Sequence, residues 1–130
     1  MELRQPNGSR ITSFVYHSHT VAPGKPALKG LPATYCEQDS EAETLTIRLR
    51  DELLNVSVYL NYTLFASHPA LARSARIVNE GGLELHLTHA MSLSLDLPDR
   101  EYELLHFSGA WGRERHLKVR RLEQGVQLVE

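Results

Sequence analysis

An all-β fold, an antiparallel β-sandwich, is predicted by three features of the sequence: hydrophobic residues recur with period two, turn residues punctuate the runs every 8 to 12 residues or so, and no helical heptad is present. Period two places successive side chains on opposite faces of a sheet. The first strand is predicted over Ile11 to Val21, rich in Tyr, Phe, Val and Thr, the residue types that fit a half-buried pleat. Pro23, Gly24, Pro26, Gly30 and Pro32 then punctuate a stretch from Ala22 to Ser40 that reads as a long surface loop or cross-over. Leu45, Ile47 and Leu49 alternate with Thr44, Thr46, Arg48 and Arg50. Asp51-Glu52 interrupts, and Leu54, Val56, Val58, Leu60, Tyr62 and Leu64 alternate against Asn55, Ser57, Asn61 and Thr63, so the two runs predict a β-hairpin.

Leu71 to Val78 is the next strand, closed by Gly81-Gly82, a pair suited to positive φ in a tight turn and so to a second hairpin. Its return run holds Leu83, Leu85 and Leu87 and continues through Met91, Leu93, Leu95 and Leu97 to Pro98-Asp99, as one bent strand or two. Glu103 to Ser108 and Arg115 to Arg121 are further strands, and Gly125 sets off a short tail of Val126, Leu128 and Val129. Such long one-faced strands need a second sheet to cover them and neighbours at their edges, so the chain has the look of an incomplete sandwich.

At 130 residues there is room for a single domain. Lys plus Arg (14) nearly balances Asp plus Glu (16), which gives no overall field for nucleic acid or anionic lipid. Cys36 is the one cysteine; it has no internal partner and no Cys-x-x-Cys companion for zinc, and it points to a reducing, cytoplasmic setting. No apolar run approaches the roughly 20 residues that span a bilayer as a helix. Asn7, Asn55 and Asn61 begin glycosylation sequons that matter only in a secretory pathway.

Gly8-Ser9-Arg10-Ile11-Thr12-Ser13-Phe14, then Gly24-Lys25-Pro26-Ala27-Leu28-Lys29-Gly30-Leu31-Pro32-Ala33-Thr34-Tyr35, then Arg73-Ser74-Ala75-Arg76, and above all Ser108-Gly109-Ala110-Trp111-Gly112-Arg113-Glu114-Arg115-His116, form an ordered series of blocks. Taken together, this series resembles the amino-terminal domain of the α-galactosidases of glycoside hydrolase family 36. Cys36 departs from the pattern, in which a small or β-branched residue is more typical. The resemblance implies a β-supersandwich of the galactose-mutarotase type, of which this chain carries less than half, preceding a (β/α)8 barrel. It further implies retaining hydrolysis by two aspartates of that barrel, so that no catalytic residue, no metal and no cofactor is expected in these 130 residues. The implied partners are the rest of the parent enzyme, its barrel above all, further copies in a homo-oligomer, and α-galactosides.

Retaining hydrolysis needs two carboxyl groups about 5 to 5.5 Å apart. Asp39, Glu41, Glu43, Asp51, Asp96 and Asp99 each sit in a turn or loop context that a cap or a solvated charge explains. The block around Trp111 is the candidate for function. Extended, it would put Trp111, Arg113 and Arg115 on one face and Glu114 and His116 on the other. An indole can stack on a sugar ring and a guanidinium fork can hold hydroxyls or a carboxylate, so these five residues are candidates for a substrate rim. They serve equally as a packed seam between domains or subunits. His17 and His19 would share a strand face, and His86 and His89 lie near each other in sequence, but a third histidine and a carboxylate at metal-ligand spacing are not evident. Tyr16, Tyr35, Tyr59, Tyr62 and Tyr102 could line a carbohydrate groove or simply fill pleats. The leading expectation is a non-catalytic assembly and rim-shaping domain of an α-galactosidase; the alternatives are a free-standing carbohydrate-binding module and a small metal-dependent β-barrel enzyme.

Overall fold

The computed structural model describes residues 1–30, 33–91 and 95–129. It is all-β, with one short 3-10 turn at Asp39–Glu41 and eight strands among the described residues. They are β1 (Glu2–Arg4), β2 (Val15–Pro23), β3 (Ala42–Asp51), β4 (Val56–Phe65), β5 (Leu71–Asn79), β6 (His86–His89), β7 (Glu103–Ala110) and β8 (Arg113–Arg121). Two compact units hold them, Met1–Ser94 and Leu95–Glu130.

In the first unit β2-β3-β4-β5 form an antiparallel meander, and β1 pairs with β6 in a two-stranded ribbon. Residues opposite one another in an antiparallel ladder share a face. The register Tyr16↔Leu49↔Val58↔Ile77, with His19↔Ile47↔Leu60↔Ala75 beside it, therefore makes one face largely apolar. On the other face lie Ser18↔Arg48↔Tyr59↔Arg76 and Thr20↔Thr46↔Asn61↔Ser74. The polar face is internally bonded: Thr46 Oγ1 donates to Asn61 Oδ1 at 2.7 Å, and Asn61 Nδ2 donates to Ser74 Oγ at 3.2 Å. Thr44 and Thr63, both buried, share a 2.7 Å hydroxyl bond.

The core sits at the β3–β4 turn. Leu3, Leu54 and Val56 pack together with Phe14, Ile77 and Leu85 against them. The four-residue loop of this hairpin inserts Leu54 (6% exposed) and leaves Leu53 in solvent. Asn55 closes it at φ 52°, a left-handed conformation that Asn tolerates better than most residues.

Three expectations are corrected by this unit. The first long strand begins at Val15 rather than Ile11, because residues 5 to 13 are held by other bonds: Gln5 N donates to Ser9 O, Gly8 N to Gln5 O, and Ser13 N to the Asp51 carboxylate. The second hairpin does not form at Gly81-Gly82. Neither glycine has positive φ, and β6 pairs with β1 instead of β5. The Asn79 side chain closes the corner, accepting from Gly81 N and donating to Leu83 O, while a Cβ on Gly81 would lie 3.0 Å from Leu54 O. Close approach to the β3–β4 loop is thus what a glycine supplies there. The run expected to reach Leu97 ends as a strand at His89; Leu93 lies outside the described residues, and Leu95 and Leu97 are not in a strand.

Glu80 ties this corner to the meander. Both its oxygens accept from Arg48 Nη2 at 3.0 Å, and Oε2 accepts from Arg50 Nη1 at 2.6 Å. With these side chains between a fifth and a third exposed, solvent screens part of the attraction. Glu80→Ala is expected to cost about 1–2 kcal/mol, read as a lower urea midpoint with the slope unchanged.

In the second unit β7 and β8 form a hairpin. One face pairs Leu105 with Val119 and Phe107 with Leu117; the other pairs His106 with Lys118 and Ser108 with His116. Arg121 donates to Glu101 near the base of the hairpin, and Leu122 N donates to Tyr102 O.

Candidate functional site: the tip of the β7–β8 hairpin

The Trp111 block forms the tip of this hairpin. Ala110 pairs with Arg113, leaving Trp111-Gly112 as a two-residue turn. Gly112 takes φ 75° while Trp111 does not have positive φ, the order of signs of a type II turn, which places glycine at its third position. The indole of Trp111 is 99% exposed.

Below the turn the register slips. Ser108 pairs with His116 and Ala110 with Arg113, so Glu114 and Arg115 together face the single residue Gly109. Two residues opposite one is a β-bulge. Arg115 lies at φ 62°, and a Cβ on Gly109 would meet Arg113 O at 2.5 Å and the Glu114 Cα at 2.8 Å. The bulge depends on the missing side chain.

A regular extended alternation from Trp111 to His116 is therefore corrected. Across the bulge Arg113 joins His116 and Lys118 on the face they share with their partners Ala110, Ser108 and His106, so Arg113 and His116, expected on opposite faces, lie on one. Glu114 turns back to the turn itself, its Oε1 accepting from Gly112 N at 3.1 Å. The five candidate residues are thus brought to one hairpin end. The device that arranges them, Gly109 with the bulge, was not read from the sequence; the signal available was a pair of glycines bracketing Ala110-Trp111 in a run that breaks alternation.

Other candidates fall elsewhere. Asp51 is a buried cap: its Oδ2 accepts from Ser13 N at 2.7 Å and its Oδ1 from Leu53 N and Leu54 N at 3.1 and 3.0 Å. Glu41 accepts from Glu37 N. The shared strand face expected of His17 and His19 gives way to a register shift at His17; His19 Nδ1 lies 2.6 Å from Tyr16 Oη and His17 Nδ1 is 3.1 Å from Ser18 Oγ. Among the described residues no group of three or more His, Cys, Asp or Glu is placed to hold a metal ion. Tyr59 and Tyr62 lie on opposite faces of the meander, and the Arg76 guanidinium stands 4.4 Å from the Tyr59 ring centre, with that of Arg48 at 5.6 Å. An arginine thus occupies a ring on which a sugar could otherwise stack. An open, largely apolar hollow of about 860 Å³ lies along Thr34, Tyr35, Phe65, His68 and Ala70. Of its lining the sequence singles out Tyr35 as a groove candidate and Glu41 as a carboxylate, but not together, because the lining comes from the loop before β3, the 3-10 turn, the end of β4 and the β4–β5 loop, which share no local pattern.

The model of the glycosyl hydrolase family 36 N-terminal domain matches residues 1–130. Alpha-galactosidase AgaA of Geobacillus stearothermophilus is 46% identical over 129 residues, covering 99% of this chain and 18% of that protein. A probable alpha-galactosidase C of Aspergillus terreus is 37% identical over 127 residues, covering 98% of this chain and 17% of its own length. The crystal structure of AgaA superposes with a TM-score of 0.92 over 97% of this chain and 18% of that one, at 46% identity. That of the alpha-galactosidase from Lactobacillus brevis gives 0.89 at 39% identity, over 97% and 17%. The chain spans less than a fifth of the length of these relatives. By sequence and by structure it belongs to the N-terminal domain family of glycosyl hydrolase family 36.

Proposed function

We propose that this chain is the non-catalytic amino-terminal part of an α-galactosidase, and that its β7–β8 tip is a contact point for assembly with the barrel or with another copy, at the rim of the substrate pocket. The observation that carries this reading is Trp111: the largest side-chain type, 99% exposed, set on a turn and bulge that two glycines make possible. An isolated indole in water is a poor arrangement unless something covers it, and Trp and Arg are the residues on which binding energy most often concentrates. Arg113 and Arg115 flank it, both exposed. Hydrolysis itself is assigned to carboxylates outside these residues, as membership of the N-terminal domain family implies, and Asp51 and Glu41 are engaged in accepting from backbone amides. The single Cys36, with no partner thiol, fits a cytoplasmic setting.

The test uses a chromogenic α-galactoside and the full-length enzyme. Trp111→Ala is expected to weaken assembly by about 2 kcal/mol, roughly thirty-fold in the dissociation constant, and to lower hydrolysis with it. The 130-residue chain alone should be inert. Turnover by that chain, or unchanged assembly and activity in the variant, overturns the reading.

A further inference from the structure

We infer that Glu114 is a positioning residue for Trp111, acting through the Gly112 amide, with the bulge opposite Gly109 as its footing. This rests on the reading of Trp111 as a contact residue. At 99% exposure the Trp111 side chain has almost no packing to orient it, so its direction is set by the backbone of the turn alone. A type II turn bonds its first carbonyl to its fourth amide and leaves the amide of the third residue unused. That third residue is Gly112, whose freedom at φ 75° makes it the softest link of the turn.

Glu114 is bonded to that link, with Oε1 3.1 Å from Gly112 N. In a regular two-residue hairpin the residue after Arg113 would continue the ladder and direct its side chain away from the strand pair. The bulge changes this. Glu114 and Arg115 share one partner position, and Glu114 Cα is drawn to where a Cβ on Gly109 would lie within 2.8 Å of it. From that displaced backbone position the carboxylate folds back over the turn. Glu114, Gly112 and Gly109 therefore act as one unit: the absent side chain permits the bulge, the bulge aims Glu114, and Glu114 closes the glycine that supports the indole. Orientation prepared before contact removes an ordering cost from association.

Trp111 is the chain's one tryptophan, which makes its motion directly readable. In the 130-residue chain, Glu114→Ala should shift the Gly112 amide proton upfield in a nitrogen–proton correlation spectrum and increase the fast component of Trp111 fluorescence anisotropy decay. Glu114→Gln, which keeps an acceptor oxygen and drops the charge, should restore both. If Glu114→Ala loses its β-sheet circular dichroism, Glu114→Asp takes its place, its shorter arm failing to reach the amide. An unchanged Gly112 shift and unchanged Trp111 motion, or a Gln variant no better than Ala, overturns the assignment. In the full-length enzyme, the assembly losses of Trp111→Ala and Glu114→Ala should be non-additive, because the second acts through the first. Full additivity would show Glu114 to be an independent contact and overturn the assignment. A silent Trp111→Ala would sink the assembly reading while the spectroscopic comparison still decides the positioning.

Discussion

Asp51→Ala is expected to destabilise the unit Met1–Ser94 by about 3 kcal/mol, a fall of roughly 10–20 °C in Tm. The carboxylate is 2% exposed and accepts three backbone amides, those of Ser13, Leu53 and Leu54. Two of these bonds shape the β3–β4 loop that inserts Leu54 into the core; the third fastens the chain just before Phe14, which packs on the same cluster. Truncation leaves three donors without their acceptor, and an unmet donor away from water costs more than an average bond contributes. Asp51→Asn separates the parts of this effect. An amide can keep an oxygen toward Leu53 and Leu54, but it then presents an N–H₂ to the Ser13 amide, donor against donor. About half the loss is expected, measured by thermal unfolding followed by circular dichroism. An alanine variant within 0.5 kcal/mol of the parent sequence would mean that the loop closes without its cap.

That cap was visible in the sequence only as a turn former, and the contrast shows what period and composition can reach. The strands β3 and β4 follow from alternation, because each is long enough for one face to be distinguished from the other, while β5 and most of β7 and β8 were legible as short runs set between turn residues. Glu2–Arg4 is not legible in this way: three residues carry no period, and the strand exists because His86–His89 returns to pair with it across more than 80 positions. The same long-range pairing removes the hairpin expected at Gly81-Gly82. A local signal for a turn was present, but Asn79 and the Leu54 carbonyl use the site as a corner. At the candidate site, composition picked out Trp111, Arg113, Glu114, Arg115 and His116, whereas their arrangement depended on a bulge. One extra residue reverses every face assignment beyond it, so a period-two reading fails from Glu114 onward.

Gly109→Ala tests whether the bulge is the feature that organises the tip. The added methyl carbon would stand 2.5 Å from Arg113 O and 2.8 Å from Glu114 Cα, and both obstacles are backbone, which cannot swing aside as a side-chain end can. Relief requires the strands to separate at the tip or the bulge to migrate, and overpacking of this kind costs about 2 kcal/mol. A two-stranded hairpin has little reserve against such a loss. Amide protons in the ladder from Leu105 to Leu117 should then exchange about thirty-fold faster, the ratio that 2 kcal/mol represents. The effect should fall on orientation as well as stability: with the bulge gone, Glu114 can no longer fold back on Gly112, and Arg113 and His116 revert to opposite faces of a regular strand. Arg115 supplies an independent check. It holds φ 62° only because the bulge requires it, so Arg115→Gly should stabilise the hairpin in the parent sequence and lose that advantage in the Gly109→Ala background. Equal exchange rates in parent and Gly109→Ala chains would mean that the tip keeps its form without the glycine, and the indole would then owe its aim to the turn alone.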